Sequence, residues 1–518
     1  MQIDLQNRKV RAMKLEEKIG QMLMVGFEGL QAPAYLLEWL ARGHLGGIIL
    51  FARNVGTPEQ LAELTHSLRQ ASPYPLFISI DQEGGAVSRL RRGFTESPGA
   101  MALGAAGSEA LAEEVAEMMG KELRAVGINW NLAPVVDMTR NIDNPSVGTR
   151  SLGSDKNLVG RLAAAQARGF ARAGVIASAK HFPGLGNTPV DTHEDLAIIE
   201  DTLADLRAGD LVPFQTVINS GIASVMITHV KFPELDPQYP ATLSRRIITG
   251  LLREEMAFEG VICTDCLEMS AITKYYSAAE SGVRAAQAGA DVILFSHTEK
   301  RQKEAFEALV AAVRSGELPE AQVEAAVQRV TALKETYAVE VTTNPALIRQ
   351  PAHLAVGQKA ARASIVLHKA GSLLPLGDSK VGLIEFSPNL VSQAMDATGL
   401  NLLSDVLRRK LPTLQSVILD PQNPDNLERA HQLVRECDIL VVATRNAHLL
   451  PAQQQAAKQL LGEHPKTVLL CLRNPYDIQQ LSASTVMCSC GDSTPSLEAI
   501  VDALLGEFMP TGKLPVAL

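Results

Sequence analysis

The sequence predicts an α/β protein: a (β/α)8 TIM-like barrel followed by an αβα sandwich domain with a mostly parallel sheet. Three observations carry this. Short, almost wholly apolar runs alternate with amphipathic helical stretches, as in a parallel sheet covered on both faces. Eight such runs fall within the first 300 or so residues, the count and length of one barrel. Charged and polar residues gather at the C-terminal ends of those runs, where such barrels build their sites.

The eight predicted strands are 21–27, 46–51, 76–81, 129–137, 175–182, 224–230, 260–265 and 291–296. Stretches such as 108–126 and 201–220 read as helices between them, and helical periodicity continues over 301–337. Residues 339–350, with Asn344-Pro345, read as an irregular connection. A second α/β series follows, with strands at 364–368, 380–386, 416–420, 438–444, 467–472 and 485–489 and a helix at 427–436. The expected organisation is a barrel over 1–338, a linker over 339–356 and a sandwich over 357–518.

Composition narrows the function. At 518 residues the chain exceeds one ordinary core. Hydrophobic residues at 46% and charged residues at 20% describe a globular protein. A net charge of −9, with no Lys/Arg block, argues against a nucleic-acid partner. Aromatics at 4% leave no platform for a long polysaccharide but allow a small sugar pocket. The N-terminus has no apolar signal region, and the apolar runs are too short to cross a bilayer, so no membrane partner is expected. The six cysteines are scattered, mostly in apolar runs, which fits a reducing cytoplasm. Cys263-Thr264-Asp265-Cys266 has metal-like spacing but no matching second pair, so no metal is expected. No Gly-rich fingerprint follows the first strand of the second series, so no dinucleotide and no other cofactor is expected.

Chemistry concentrates in the stretch from Lys180 to His193. An apolar strand runs into Lys180-His181, and Pro183, Gly184 and Gly186 then force a loop. Asp191 lies two residues before His193, close enough to orient the imidazole and raise its proton affinity for acid–base work. Asp265 ends an apolar strand, where a carboxylate can act as nucleophile or cap the next helix. Asp81 ends another, before Gly84-Gly85, and a carboxylate there can accept hydrogen bonds from sugar hydroxyls. Lys180 and His181 are donors at a neighbouring strand end.

These residues also carry a resemblance. Lys180-His181-Phe182-Pro183-Gly184-Leu185-Gly186, four residues, then Asp191-Thr192-His193 resembles the signature loop of the glycoside hydrolase family 3 β-N-acetylglucosaminidases. The segment from Gly260 to Met269 is similar to that family's nucleophile strand, which maps the nucleophile onto Asp265. Where the family often has a second Asp, this chain has Cys266. Asp81-Gln82-Glu83-Gly84-Gly85-Ala86-Val87 resembles its sugar-binding turn, with Ala86 in place of Arg and a later Arg89 retained. Asn144 to Ser151 resembles the segment whose Arg contacts the sugar, here Arg150. Met226-Ile227-Thr228-His229 resembles another strand end bordering the pocket. Leu15 to Met22 and Pro510 to Val516 resemble the family's opening and closing segments.

The resemblance implies a retaining exo-β-N-acetylglucosaminidase acting on GlcNAc-containing muropeptides or chitooligosaccharides. Asp265 would attack the anomeric carbon, with a His193–Asp191 acid/base. Asp81, Arg89, Arg150, Lys180, His181 and His229 would surround the sugar, and Asp137 would buttress loops. Two rivals stand beside it. One is a β-N-acetylglucosaminide phosphorylase on the same scaffold. The other is an inactive sugar-binding protein, for which Ala86 and Cys266 speak.

Overall fold

The computed structural model describes residues 10–339, 341–377, 379–388, 392–395 and 401–518. Its first part is an eight-stranded parallel barrel. The strands are β1 Leu23–Val25, β2 Gly47–Leu50, β3 Phe77–Ile80, β4 Trp130–Asn131, β5 Ile176–Phe182, β6 Ser224–Ile227, β7 Val261–Thr264 and β8 Ile293–Phe295. From β1 to β7 each strand pairs with the next in sequence, and β1 pairs with β8 in the register Leu23↔Ile293. A bridge between Cys263 and Val292 joins β7 to β8 and closes the ring.

The near-continuous apolar runs follow from this architecture. Alternate side chains such as Met24, Ile49, Phe77, Trp130, Ile176, Met226, Val261 and Leu294 fill the barrel interior. Their neighbours, such as Leu23, Ile48, Ile78, Ala177, Val225, Ile262 and Ile293, face outward onto the helices. Two helices that cover the barrel, Glu109–Ala125 and Lys156–Arg172, are each opened by a side-chain cap, from Ser108 and Asp155.

The fourth strand is shorter than the run 129–137 suggests. Pro134 has no N–H to offer the ladder. The chain beyond Asn131 still tracks β5, through Ser178 N–H to Ala133 O at 2.9 Å and Val136 N–H to Lys180 O at 2.6 Å. This carries Asp137 to the barrel mouth.

The second sheet holds β9 Val366–Lys369, β10 Val381–Phe386, β11 Gln415–Leu419, β12 Ile439–Thr444, β13 Thr467–Cys471 and β14 Thr485–Cys488. Their spatial order is β9-β14-β13-β12-β10-β11, with β9 antiparallel to β14 and every other pair parallel. Helices Leu403–Lys410 and Thr494–Leu504 pack on one face. Helices Pro424–Glu436 and Pro451–Glu463 pack on the other, an αβα sandwich. Part of the expected linker is helical. Pro351 stands at the first helical position, where its missing N–H costs nothing, and the helix runs to Ser364.

The two parts share apolar surface. Met101, Ala102 and Ala105, on the helix Ala100–Ala106, join the core of the sandwich. Among the described residues no helix is long and apolar enough to cross a membrane.

Candidate active site

Asp81 follows Ile80 at the end of β3. The chain then turns back on itself as a short antiparallel ribbon, Gln82–Gly84 against Val87–Ser88. The turn needs glycine: Gly84 and Gly85 have φ of +87° and +61°, and a Cβ on Gly85 would lie 2.9 Å from the Gly99 backbone. The ribbon brings Glu83 under the barrel mouth.

Glu83 is the centre of a buried ion cluster. Its two carboxylate oxygens accept from Arg150 Nε and Nη2, each at 2.8 Å, a bidentate fork. Lys180 Nζ bridges Glu83 Oε1 at 2.7 Å and Asp81 Oδ1 at 2.6 Å. The side chains of Lys180 and Glu83 are only 2% and 3% exposed. Burial raises the Glu83 carboxyl, but the charges of Arg150 and Lys180 outweigh it and hold the group well below the ordinary value. Burial likewise works against charge on Arg150 and Lys180, and their carboxylate partners reverse it for both. Next to this cluster, the His181 ring donates through Nδ1 to Asp137 Oδ2 at 2.6 Å. The other Asp137 oxygen accepts the Leu185 N–H at 2.7 Å. Asp137 thus braces the loop that follows β5.

That loop is stapled down at its start. Gly186 lies so close to Met138 that a Cβ would fall 1.7 Å from its carbonyl oxygen. Asn144 Nδ2 donates to Leu185 O at 2.9 Å. Farther along, His193 Nδ1 meets Asp191 Oδ1 at 2.7 Å. Asp191 Oδ2 accepts from Ser392 Oγ, also at 2.7 Å. Burial raises the Asp191 carboxyl, and its bonds to His193 and Ser392 more than offset this, leaving it at about 2. No described residue bonds His193 Nε2, and the ring borders the cavity.

Asp265 stands at the tip of β7. Its Oδ1 accepts the Cys266 N–H at 2.7 Å, and no described residue donates to Oδ2. Burial raises this carboxyl too. The rings of His229 and His181, the Cys266 N–H and His193 overcome that effect and set it below the ordinary value.

A cavity of about 600 Å³ opens at this end of the barrel. Asp81, Arg89, Arg150, Lys180, His181, His193 and Asp265 all line it. Asp191 stands behind His193. His229 does not line the cavity, a correction to the sequence reading. It is fully buried, donates from Nε2 to Cys266 O at 2.7 Å and bonds Thr242 Oγ1 through Nδ1 at 2.7 Å. With both nitrogens engaged, it supports the backbone behind Asp265. Burial favours its neutral form.

The sequence reading missed three contributions. Glu83 sits inside a motif from which only Asp81 was drawn. Glu268, Ser296 and His297 form the wall next to Cys266. Gln393, Ala394 and Met395 reach the cavity from the second domain, and Arg89 Nη1 donates to Ala394 O at 3.0 Å. Asp81 and Arg89 stand 4.0 Å apart at their closest charged atoms.

Residues 14–333 match the glycosyl hydrolase family 3 N-terminal domain. The chain is 29% identical to beta-hexosaminidase A of Pseudoalteromonas piscicida, over 94% of this chain and 91% of that protein. It is 39% identical to a beta-hexosaminidase of Stenotrophomonas maltophilia strain R551-3, over 54% of this chain and 84% of that one. Among solved structures, a glycoside hydrolase family 3 beta-N-acetylglucosaminidase from Paenibacillus sp. str. FPU-7 superposes with a TM-score of 0.91. It is 36% identical, over 98% of this chain and 99% of the other.

The ion cluster has a measurable signature. Glu83→Gln keeps the volume but strands two buried cations on Asp81 alone, which should cost about 3–5 kcal/mol of stability. The Glu83 carboxyl is depressed in the folded protein, so its contribution is fully present above its ordinary value of 4.5 and is lost as the pH falls below it. The gap in unfolding free energy between wild type and variant should be flat at neutral pH and start to close below 4.5. A gap of zero at neutral pH would contradict the cluster's role.

Proposed function

The chain belongs to glycosyl hydrolase family 3, and from that premise we propose that its cavity hydrolyses terminal β-N-acetylglucosaminides with retention, through Asp265 and His193. One observation carries the residue roles. Asp265 Oδ2 and His193 Nε2, to which no described residue bonds, border one cavity, and each side chain is held from behind by its other polar atom.

The reaction then follows in two displacements. Asp265 Oδ2 bonds to the anomeric carbon as the glycosidic bond breaks, and the proton on His193 Nε2 passes to the leaving oxygen. The Asp191 carboxylate supports the imidazolium that this step requires, and Ser392 steadies Asp191. In the second displacement the now neutral His193 takes a proton from water. The water oxygen bonds to the anomeric carbon, and Asp265 departs. Two inversions give net retention. Retaining glycosidases mostly use two carboxylates, and here an imidazole replaces one of them. Asp81, Arg89, Arg150, Lys180 and His181 offer a mixed set of acceptors and donors for the hydroxyls of one sugar ring.

The cavity volume and the scarcity of aromatics favour short substrates, GlcNAc-containing muropeptides or chitooligosaccharides. All six cysteines are free and buried, which supports a reducing cytoplasm and, there, a role in peptidoglycan recycling. A phosphorylase on this scaffold has less support, because the relatives named above are hydrolases by name.

Asp265→Ala should lose nearly all turnover of an aryl β-GlcNAc, and added azide should restore part of it with an inverted glycosyl azide as product. Wild-type enzyme supplied with phosphate should release free GlcNAc. Near-wild-type turnover in the variant, or GlcNAc 1-phosphate as main product, would overturn the assignment.

His193→Ala should slow substrates with poor leaving groups by about 10²–10⁴-fold, the usual worth of a general acid, and activated nitrophenyl substrates far less. Asp191→Ala should act in the same direction. Equal losses on both substrate types would mean that the pair is structural.

A further inference from the structure

The cavity wall beside Asp265 carries a set of donors that hydrolysis does not use. Cys266 follows β7, Glu268 comes two residues later, and His297 follows β8. A thiol sulfur, a carboxylate oxygen and a ring nitrogen from these three lie within 4.8 Å of one another. We propose that Cys266, Glu268 and His297 bind one borderline divalent cation of the zinc class, with its fourth position open to the cavity, and that this ion blocks hydrolysis.

The donor types choose the metal. Thiolate, imidazole and carboxylate together suit Zn²⁺ or Cd²⁺, whereas Mg²⁺ and Ca²⁺ favour oxygen-only sites. The spacing is close to what zinc needs. Bonds of about 2.0–2.3 Å in a tetrahedron put neighbouring ligand atoms about 3.5 Å apart, so a shift of about 1 Å in the side chains completes the site. His297 sits at the exposed rim, where a side chain can make that move.

The surroundings fit as well. Binding forms the bond from sulfur to metal and releases the thiol proton to solvent. His297 lines the same cavity wall, with its Nδ1 2.8 Å from Ser296 Oγ. Ser296 Oγ lies 2.7 Å from the sulfur, and the Glu268 N–H points at it from 3.4 Å. Both can donate to a thiolate, as outer partners of metal-bound sulfur do. Glu268 accepts from the backbone N–H groups of His297 at 2.6 Å and Thr298 at 3.0 Å, which fixes its orientation and leaves lone pairs free. Thiolate and carboxylate together neutralise the dication. Cys263 takes no part: its sulfur lies 3.8 Å from Ser224 Oγ and outside this group of three. The companions of Cys266 come from its own loop and the end of the next strand.

Binding stands apart from the hydrolytic reading, and only the blockade rests on it, so two measurements separate them. The full-length protein is titrated with CdCl₂ while the ultraviolet thiolate-to-cadmium charge-transfer band is followed. Inhibition of aryl β-GlcNAc hydrolysis by ZnCl₂, and its reversal by EDTA, is measured in parallel. One equivalent of Cd²⁺ should saturate the band in wild type, and Cys266→Ser should lack it. His297→Gln should weaken Zn²⁺ inhibition, relative to its own metal-free rate, by at least about tenfold, the lower end of what even outer partners contribute. Absence of the band in wild type at stoichiometric Cd²⁺ would overturn the site. Zn²⁺ inhibition undiminished in both variants would also overturn it, since the ion would then act elsewhere. Binding of one equivalent without inhibition would overturn the blockade.

Discussion

A buried carboxylate, Glu83, is the constraint on which the site depends. Two cations, from the segment after β4 and from β5, meet at the barrel mouth with almost no solvent around them. Buried side by side without an anion they would repel each other and lack hydration. Glu83 grips Arg150 as a fork and shares Lys180 with Asp81. It thereby ties three strand ends into one polar wall. The wall has fixed charges in fixed positions, which suits recognition of a small, hydroxyl-rich ring. Asp137 extends the same logic outward, holding the His181 ring with one oxygen and the start of the loop that carries His193 with the other.

Around that wall the chemistry is divided between two parts of the molecule. Asp265 belongs to the barrel, with one oxygen held by a backbone N–H at a strand tip. His193 belongs to a loop whose first residues are pinned to Met138 and Asn144 and whose later residues meet the second domain. Ser392 holds the outer oxygen of Asp191, and Ala394 accepts from Arg89. The sandwich domain therefore reaches the cavity, and its packing bears on the orientation of Asp191 and His193.

Much of this was legible in the residues. All eight barrel strands followed from apolar runs, because burial on both faces leaves little room for polar residues. Asp191 and His193 are two residues apart, so their pairing could be read locally. Each miss has a physical cause. Strand 129–137 was overextended because its hydrophobicity hid the missing N–H of Pro134. The helix Pro351–Ser364 began at a proline that breaks a helix interior but suits its first turn. His229 carried a resemblance, yet both its nitrogens are used by Cys266 O and Thr242. Glu83, Ser392 and the neighbours of Cys266 act through tertiary contacts that no local spacing encodes.

The central claim is that Asp265 forms a covalent bond to the sugar. The most direct test is to trap that species with a slow fluorinated β-GlcNAc donor, digest the protein and locate the adduct by mass spectrometry. The account requires one N-acetylhexosamine-derived mass on the peptide containing Asp265, formed as activity is lost and released as it returns. Stoichiometric labelling of another carboxylate, or inactivation with no adduct on that peptide, would contradict it.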